Sequence, residues 1–363
     1  MAGQVGDYLE YQADRVEAVL AAHRAPGRVT GGTVGPRIIR FFLDPAPHTR
    51  LANIRRLADD LALAMRVPSL AVDRDPNGLV LSFANPKPRP IALLPLLDSV
   101  MPIPPATALL GLSDAGSPLL ARLSAPDVAH VLVSGTTGSG KSVLLRAMAV
   151  SLALANSPDT LRFLCIDPKN RTFRALASAP HLARPVVSDP AEALEALSSL
   201  IRTMTFRDKH GESPASSPTV PHIVVFIDEL ADLVVSNGDA GAAGASISDA
   251  LTRLAQRGRE AGIHLVAATQ HPSAAILGSV MRANFPLRLV GRVTSAQDAR
   301  VASGRGGTDA HLLHGRGDFL AVSGGEKPIR FQVAQVKERD IKAQMKVERE
   351  MLTVEGRVRS DES

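Results

Sequence analysis

The chain contains no tryptophan and only two tyrosines, and aromatic residues make up 3% of it. Its core must therefore be filled by leucine, valine, isoleucine and alanine. A single cysteine, Cys165, excludes any internal disulfide and fits a reducing compartment. Cys165 lies in an apolar run and reads as a buried strand residue. No run of 18 apolar residues is present, so no transmembrane helix is expected. The first residues lack the basic-then-apolar order of a signal peptide. A cytoplasmic chain without stable membrane insertion is the expectation. His311 and His314 have no cysteine or acidic cluster beside them to complete a metal set. No Ser-His-Asp set and no glycosidase-like pair of carboxylates stands out.

What is there suits a globular protein with one large domain and a smaller one. The 363 residues are 45% hydrophobic and 21% charged. A net charge of +5 permits an anionic partner, but the excess is small for this length.

Residues 7–24 pattern as an amphipathic helix, followed by a glycine-rich turn at Gly31, Gly32 and Gly35. Residues 36–44 and 78–84 read as strands, and 50–66 as a helix. Seven prolines between Pro86 and Pro105 suggest a linker. A small α+β domain is placed at 1–110 on this basis. From there to 335, short apolar strands (129–134, 161–167, 222–228, 263–269 and 287–293) alternate with helices, notably 141–155 and 190–207. That order predicts an α/β domain with a mostly parallel sheet covered on both faces. Residues 209–220 and the Gly-, Ala- and Ser-rich 236–248 read as mobile surface insertions. Residues 336–363 read as a charged surface helix and tail.

Two motifs carry chemistry. The octet Gly135-Thr136-Thr137-Gly138-Ser139-Gly140-Lys141-Ser142, followed by Val143, fits the P-loop pattern at every fixed position. It has an apolar strand before it and a helix after it. Its glycines allow backbone N–H groups to turn toward phosphate oxygens. Lys141 would neutralise the β- and γ-phosphates of ATP, and Ser142 would bind Mg²⁺ through its hydroxyl. Eighty-seven residues after Lys141, the strand Ile223–Ile227 ends in Asp228 and Glu229. This is the form of a Walker B element. Asp228 would hold the Mg²⁺ through water, and Glu229 would orient and deprotonate the attacking water. Gln270 ends the next apolar strand. It reads equally as a γ-phosphate sensor that helps place the water and as an ordinary strand-end polar residue.

These segments resemble the motor region of the FtsK/SpoIIIE double-stranded DNA translocases. The resemblance covers residues 10–335. It rests on HVLVSGTTGSGKSV (130–143), DPK (167–169), PHLARPVVSDPAEA (180–193), FIDELADL (226–233), GREAGIHLVAATQHP (258–272) and GRGDFL (315–320), in the family's order. Residues 35–65 look like the family's small α domain, ahead of its RecA-like P-loop NTPase domain. The resemblance implies a homo-oligomer, a hexameric ring with ATP between subunits and duplex DNA in the channel. It implies an arginine supplied in trans, with Arg207 the first candidate and Arg259 and Arg300 also at family arginine positions. It places the pore-facing loop at 323–330, where Lys327 and Arg330 would meet DNA phosphates. A plain hairpin turn with exposed charges is the other reading of that loop. With no aromatic residue for base stacking, the loop suits duplex better than single strand.

The chain departs from the family at His271, Thr203 and Asp208, where the family has Arg, Glu and Tyr. No membrane-anchoring segment and no room for a C-terminal winged helix are seen. A mobile-element, phage or stand-alone motor is therefore expected over septal chromosome transport. The competing reading is a protein-export ATPase like those of type VII secretion, which usually carry several motor domains in tandem.

Overall fold

The computed structural model describes residues 2–36, 38–75, 78–234, 241–270 and 283–361. The chain divides into two compact units. One comprises residues 1–90 with 114–117, and the other 91–113 with 118–363. Residues 91–113 thus fold with the larger unit, although the proline-rich stretch had suggested a boundary near 110.

The smaller unit starts with α1 (Ala2–Ala22), then β1 (Gly27–Val34), β2 (Ile38–Pro45), α2 (Leu51–Arg56), α3 (Ala58–Met65), β3 (Leu70–Asp75) and β4 (Gly78–Ala84). The four strands form an antiparallel sheet in the order β1-β2-β4-β3. Alternate residues Ile39, Phe41 and Leu43 of β2 face a core shared with Val16 and Leu20 of α1 and with Leu61 and Met65 of α3. Gly31 and Gly32 lie inside β1, next to a register shift, and not in a turn.

The larger unit holds β5 (Ile91–Ala92), α4 (Leu93–Val100), β6 (Thr107–Ser113), β7 (Pro118–Arg122), β8 (Val131–Ser134), α5 (Lys141–Ala155) and β9 (Leu161–Ile166). Then come α6 (Pro190–His210), β10 (His222–Ile227), α7 (Leu230–Val234), α8 (Gly241–Arg257), β11 (Ile263–Thr269) and β12 (Leu287–Val290). Last are α9 (Ala296–Ser303), β13 (Asp318–Ser323), β14 (Ile329–Gln335) and α10 (Glu338–Asp361). The main path of the sheet runs β7-β6-β14-β13-β12-β8-β11-β10-β9, with β5 beside β14. The five strands from β12 to β9 are parallel. The pairs β12/β13, β13/β14, β14/β6 and β6/β7 are antiparallel. The sheet is therefore mixed, where a mostly parallel one was expected. The antiparallel half is built from the last two strands and from strands that precede the P-loop.

The parallel strands are buried on both faces. Val131 and Val133 of β8, Phe163 and Cys165 of β9, and Val224 and Phe226 of β10 face one core, which includes α5. Leu132, Leu164, Ile166, Val225 and Ile227 face the other, against α6, α7 and α8. The period of two, apolar on both sides, is what makes these strands continuous hydrophobic runs. Burial also pushes the Cys165 thiol pKa well up, as suits an inert core residue.

Three segments differ from the sequence expectation. The proline-rich stretch contains α4, whose Leu93 and Leu97 are buried. Pro95 falls in its first turn, where no helical N–H is needed. Residues 241–248 of the Gly/Ala/Ser-rich segment begin α8, while 235–240 lie outside the described residues. The charged C-terminal helix, α10, anchors its first turns in the core through Ile341 and Met345.

Candidate nucleotide-binding site

The P-loop leaves the C-terminal end of β8, between β11 on one side and β12 on the other. Connections from β8 depart toward β9 at the far edge. The crevice outside β8 is therefore a topological switch point, the usual binding place in such sheets. Residues 135–140 turn back so that α5 begins at Lys141, with Gly140 as N-cap in the left-handed region. At φ 109° only glycine sits without strain, and a Cβ there would lie 2.7 Å from the Gly317 backbone nitrogen. The loop is pinned from outside. Thr136 N donates to Arg292 O at 2.8 Å, Arg316 N to Gly138 O at 3.0 Å, and Gly317 N to Ser139 O at 2.7 Å.

A cavity of about 660 Å³ opens over the loop. Thr136, Thr137, Gly138, Gly140, Lys141, Ser142 and Val143 line it from the P-loop side, and Asp228, Glu229 and Gln270 from neighbouring strand ends. Gly135 and Ser139 do not line it. Ser139 is 1% exposed, tucked close to Gly135 beneath the loop.

The Lys141 ammonium donates to Gly135 O at 2.7 Å and Thr136 O at 3.4 Å. Burial lowers its pKa, while the Glu229 and Asp228 carboxylates act to hold it up. Ser142 Oγ donates to Asp228 Oδ1 at 3.2 Å. Thr172 Oγ1 donates to the same oxygen at 2.7 Å. Burial raises the Asp228 pKa, and these two hydroxyls oppose it. Glu229 is 4% exposed, and its Oε1 accepts from Gln270 N at 3.1 Å and Ala231 N at 3.4 Å. Thr137 Oγ1 donates to Gln270 Oε1 at 2.8 Å. The P-loop and the ends of β10 and β11 thus converge on one space. Ser142 and Asp228 supply only oxygen donors there, which suits Mg²⁺ and not a softer metal.

Sequence reading missed several residues around this cavity. Lys169, Arg171 and Thr172 line it from the turn after β9, and Arg316 and Gly317 from the loop before β13. Lys169 pairs with Asp232 at 2.7 Å, and that hydrogen bond raises its pKa. The DPK triplet carries meaning only through the family resemblance, and a turn of mixed polar residues carries no signal of its own.

Two predicted site residues are placed elsewhere. Arg207 is 6% exposed and donates to Ala261 O at 2.6 Å and Pro221 O at 3.0 Å. It ties the C-terminal end of α6 to the segments leading into β10 and β11, so its guanidinium is directed into the fold and does not project. Its place at the end of a long polar helix concealed this. Arg330 lies within β14, not in the turn, and pairs through two nitrogens with Asp318 at 2.9 and 2.8 Å. That pairing turns two of its three guanidinium nitrogens toward Asp318 and leaves the side chain about one-third exposed. Lys327 stands exposed in the β13–β14 turn. Arg259 and Arg300 are exposed, and Thr203 and Asp208 lie on α6, whereas His271 is outside the described residues.

Sequence profiles of the FtsK/SpoIIIE family match residues 103–212 and 210–274, and the FtsK alpha domain matches 4–80. The DNA translocase FtsK of Bacillus cereus is 33% identical over 349 residues, which cover 89% of this chain and 43% of that protein. The DNA translocase SpoIIIE of Bacillus subtilis is 32% identical over the same shares. The chain spans about half the length of these relatives or less. Among solved structures, the pCW3 conjugation coupling protein TcpA, in its monomer form with ATPgS, shares the fold. Its TM-score is 0.65 at 18% identity, over 93% of this chain and 99% of that one. The cytoplasmic domain of the type VII secretion ATPase EccC of Thermomonospora curvata has a TM-score of 0.60 at 23% identity, over 71% and 34%. With both of its domains matched by the family's own profiles, the chain belongs to the FtsK/SpoIIIE family.

Proposed function

We propose that the chain is the ATP-hydrolysing motor of a double-stranded DNA translocase, working as a homo-oligomeric ring, most simply a hexamer. The observation that carries this reading is the meeting of Lys141, Ser142, Asp228 and Glu229 around one cavity. The relatives about a third identical to this chain are named as DNA translocases. The secretion ATPase shares only the fold, so the protein-export alternative has weaker support.

The P-loop backbone would cradle the phosphates of ATP, and Lys141 would exchange its loop carbonyls for the β- and γ-phosphate oxygens. Ser142 and Asp228 would hold Mg²⁺, which when bound neutralises charge on those oxygens. Glu229, fixed by the Gln270 and Ala231 backbone N–H groups, would take the proton of the attacking water and leave ADP and phosphate. Gln270, held by Thr137, would help place that water. An arginine from a neighbouring subunit would complete the site, with Arg259 and Arg300 as candidates now that Arg207 is committed internally. Lys327 would meet the duplex backbone without reading sequence.

The test is ATP turnover with and without long duplex DNA. Strong stimulation by duplex, lost in Glu229→Gln, is the expected result. Turnover indifferent to DNA would sink the translocase reading. Electron microscopy with duplex and an ATP analogue checks the ring.

A further inference from the structure

The Asp228 carboxylate is held by a residue outside both nucleotide motifs. Thr172 Oγ1 donates to Asp228 Oδ1 at 2.7 Å, closer than the 3.2 Å of Ser142 Oγ on the same oxygen. Short O–H···O⁻ bonds of this kind are among the stronger hydrogen bonds in proteins. Thr172 is 2% exposed and is itself fixed. Its backbone N–H donates to Asp167 Oδ2 at 2.8 Å, and the next N–H, of Phe173, donates to the same oxygen at 3.1 Å. Asp167 is fully buried at the end of β9, with its own N–H bonded to Val187 O at 2.8 Å. Phe173 packs on Phe226, in the strand that carries Asp228, with ring centroids 5.6 Å apart. The turn from Asp167 to Phe173 is therefore anchored to β9 at one end and against β10 at the other. Thr172 also lines the cavity.

We propose that Thr172 is a positioning residue, its hydroxyl holding the Asp228 carboxylate in the orientation that receives Mg²⁺ with Ser142, and Asp167 holding Thr172. This rests on the nucleotide-hydrolase reading above. A β-branched residue suits the role because its χ1 is stiff. Removing such supporting hydrogen bonds typically weakens a metal site 10–100-fold. Asp228 keeps Ser142 as a partner, so the lower end of that range applies.

The experiment compares wild type, Thr172→Val and Thr172→Ser. Binding of a fluorescent ATP analogue is measured in EDTA and over a Mg²⁺ titration, beside ATP turnover over the same titration. The Val variant keeps the shape and loses the hydroxyl. It should need about tenfold more Mg²⁺ for half-maximal binding and turnover, with nucleotide affinity in EDTA unchanged. The Ser variant should restore most of the wild-type Mg²⁺ dependence. An unchanged Mg²⁺ requirement in Thr172→Val overturns the proposal. So does an equal loss of binding with and without Mg²⁺, the mark of a purely structural role. If the Val variant does not fold, Thr172→Ala is compared with Thr172→Ser. A Mg²⁺ requirement raised in the Ala variant alone supports the hydroxyl, and equal requirements in the two refute it. Wild type that shows no Mg²⁺-dependent nucleotide binding would instead overturn the underlying hydrolase reading.

Discussion

Three histidines meet at the N-terminal ends of the parallel strands, the end away from the P-loop, and their burial should make the larger unit sensitive to acid. His222 Nδ1 lies 3.0 Å from His264 Nε2, and His264 Nδ1 lies 3.1 Å from Ala129 O. His130 Nδ1 accepts from Leu265 N at 3.0 Å, which requires the neutral ring. Burial pushes His264 down to about 3 and His130 down to about 4, from 6.5. Burial also lowers His222. A base whose folded pKa is depressed takes up protons on unfolding. Its contribution is fully present above pH 6.5 and is lost as pH falls toward the folded pKa. At pH 5 the unfolded histidine is almost wholly protonated and the folded one is not. The difference is roughly 1.5 pH units, or about 2 kcal/mol for each of His264 and His130. Stability should therefore drop by about 4 kcal/mol between pH 7.5 and pH 5 from these two alone, a large share of a normal domain's total. Both tyrosines, Tyr8 and Tyr11, sit in α1 of the smaller unit, so tyrosine fluorescence reports only that unit. Urea unfolding of the larger unit must be followed by circular dichroism. His264→Gln should remove about 2 kcal/mol of the pH dependence while lowering stability at pH 7.5. Equal pH slopes for wild type and His264→Gln would refute the reasoning.

Glu229→Gln should cut ATP turnover by about 10²–10⁴-fold and keep nucleotide binding, read by steady-state rates and filter binding. Lys327→Ala should weaken DNA stimulation and leave basal turnover in place, and one effect of Arg330→Ala should be on stability. Asp318 keeps the His314 N–H as a partner and Arg330 is one-third exposed, so a loss of about 1–2 kcal/mol in unfolding free energy, read from the urea midpoint and slope, is expected. Arg207→Ala should likewise destabilise, by about 2–3 kcal/mol, because the Ala261 and Pro221 carbonyls lose their donor. In subunit-mixing assays it should not poison neighbouring wild-type subunits, as loss of a trans arginine would.

Strands with apolar residues on both faces were legible because burial on two sides leaves no polar position to confuse the pattern. β11 spans the range expected of it, Ile263–Thr269. The Walker residues were legible for a different reason: phosphate and Mg²⁺ chemistry tolerates few residue types at fixed spacing. Helix α8 was not, since glycine, alanine and serine dominate its first turns. Yet Ile247, Ala250, Leu251, Leu254 and Ala255 repeat with helical spacing and are all buried. The antiparallel half was missed because β6 and β7 precede the P-loop by sequence and join the sheet only through β14. Such non-local pairing leaves no local trace. Arg207 and Arg330 show the limit most directly. An arginine beside family motifs reads as available, and only the carbonyls and carboxylate around it reveal that two of its nitrogens are bonded within the fold.

The antiparallel half connects the P-loop to the β13–β14 turn. Arg316 and Gly317 bond the P-loop carbonyls of Gly138 and Ser139, and the Gly317 carbonyl accepts from Val333 N in β14 at 2.8 Å. β13 begins at the next residue, Asp318, and runs to Ser323 before the turn that bears Lys327. Six residues of strand span about 20 Å. Along that span β13 pairs with β14 over Asp318–Ala321 and with β12 over Leu320–Ser323. The Asp318–Arg330 pair locks the hairpin at the end nearer the P-loop. A shift of the P-loop backbone on loss of the γ-phosphate would thus move a stiff hairpin as a lever, not a slack loop. On this account Arg330 serves translocation by rigidity. Arg330→Ala should then loosen the coupling between ATP turnover and distance moved along DNA, even at temperatures where the variant is fully folded. Unaltered coupling in that variant, measured by single-molecule tracking, would show that the hairpin does not carry the stroke.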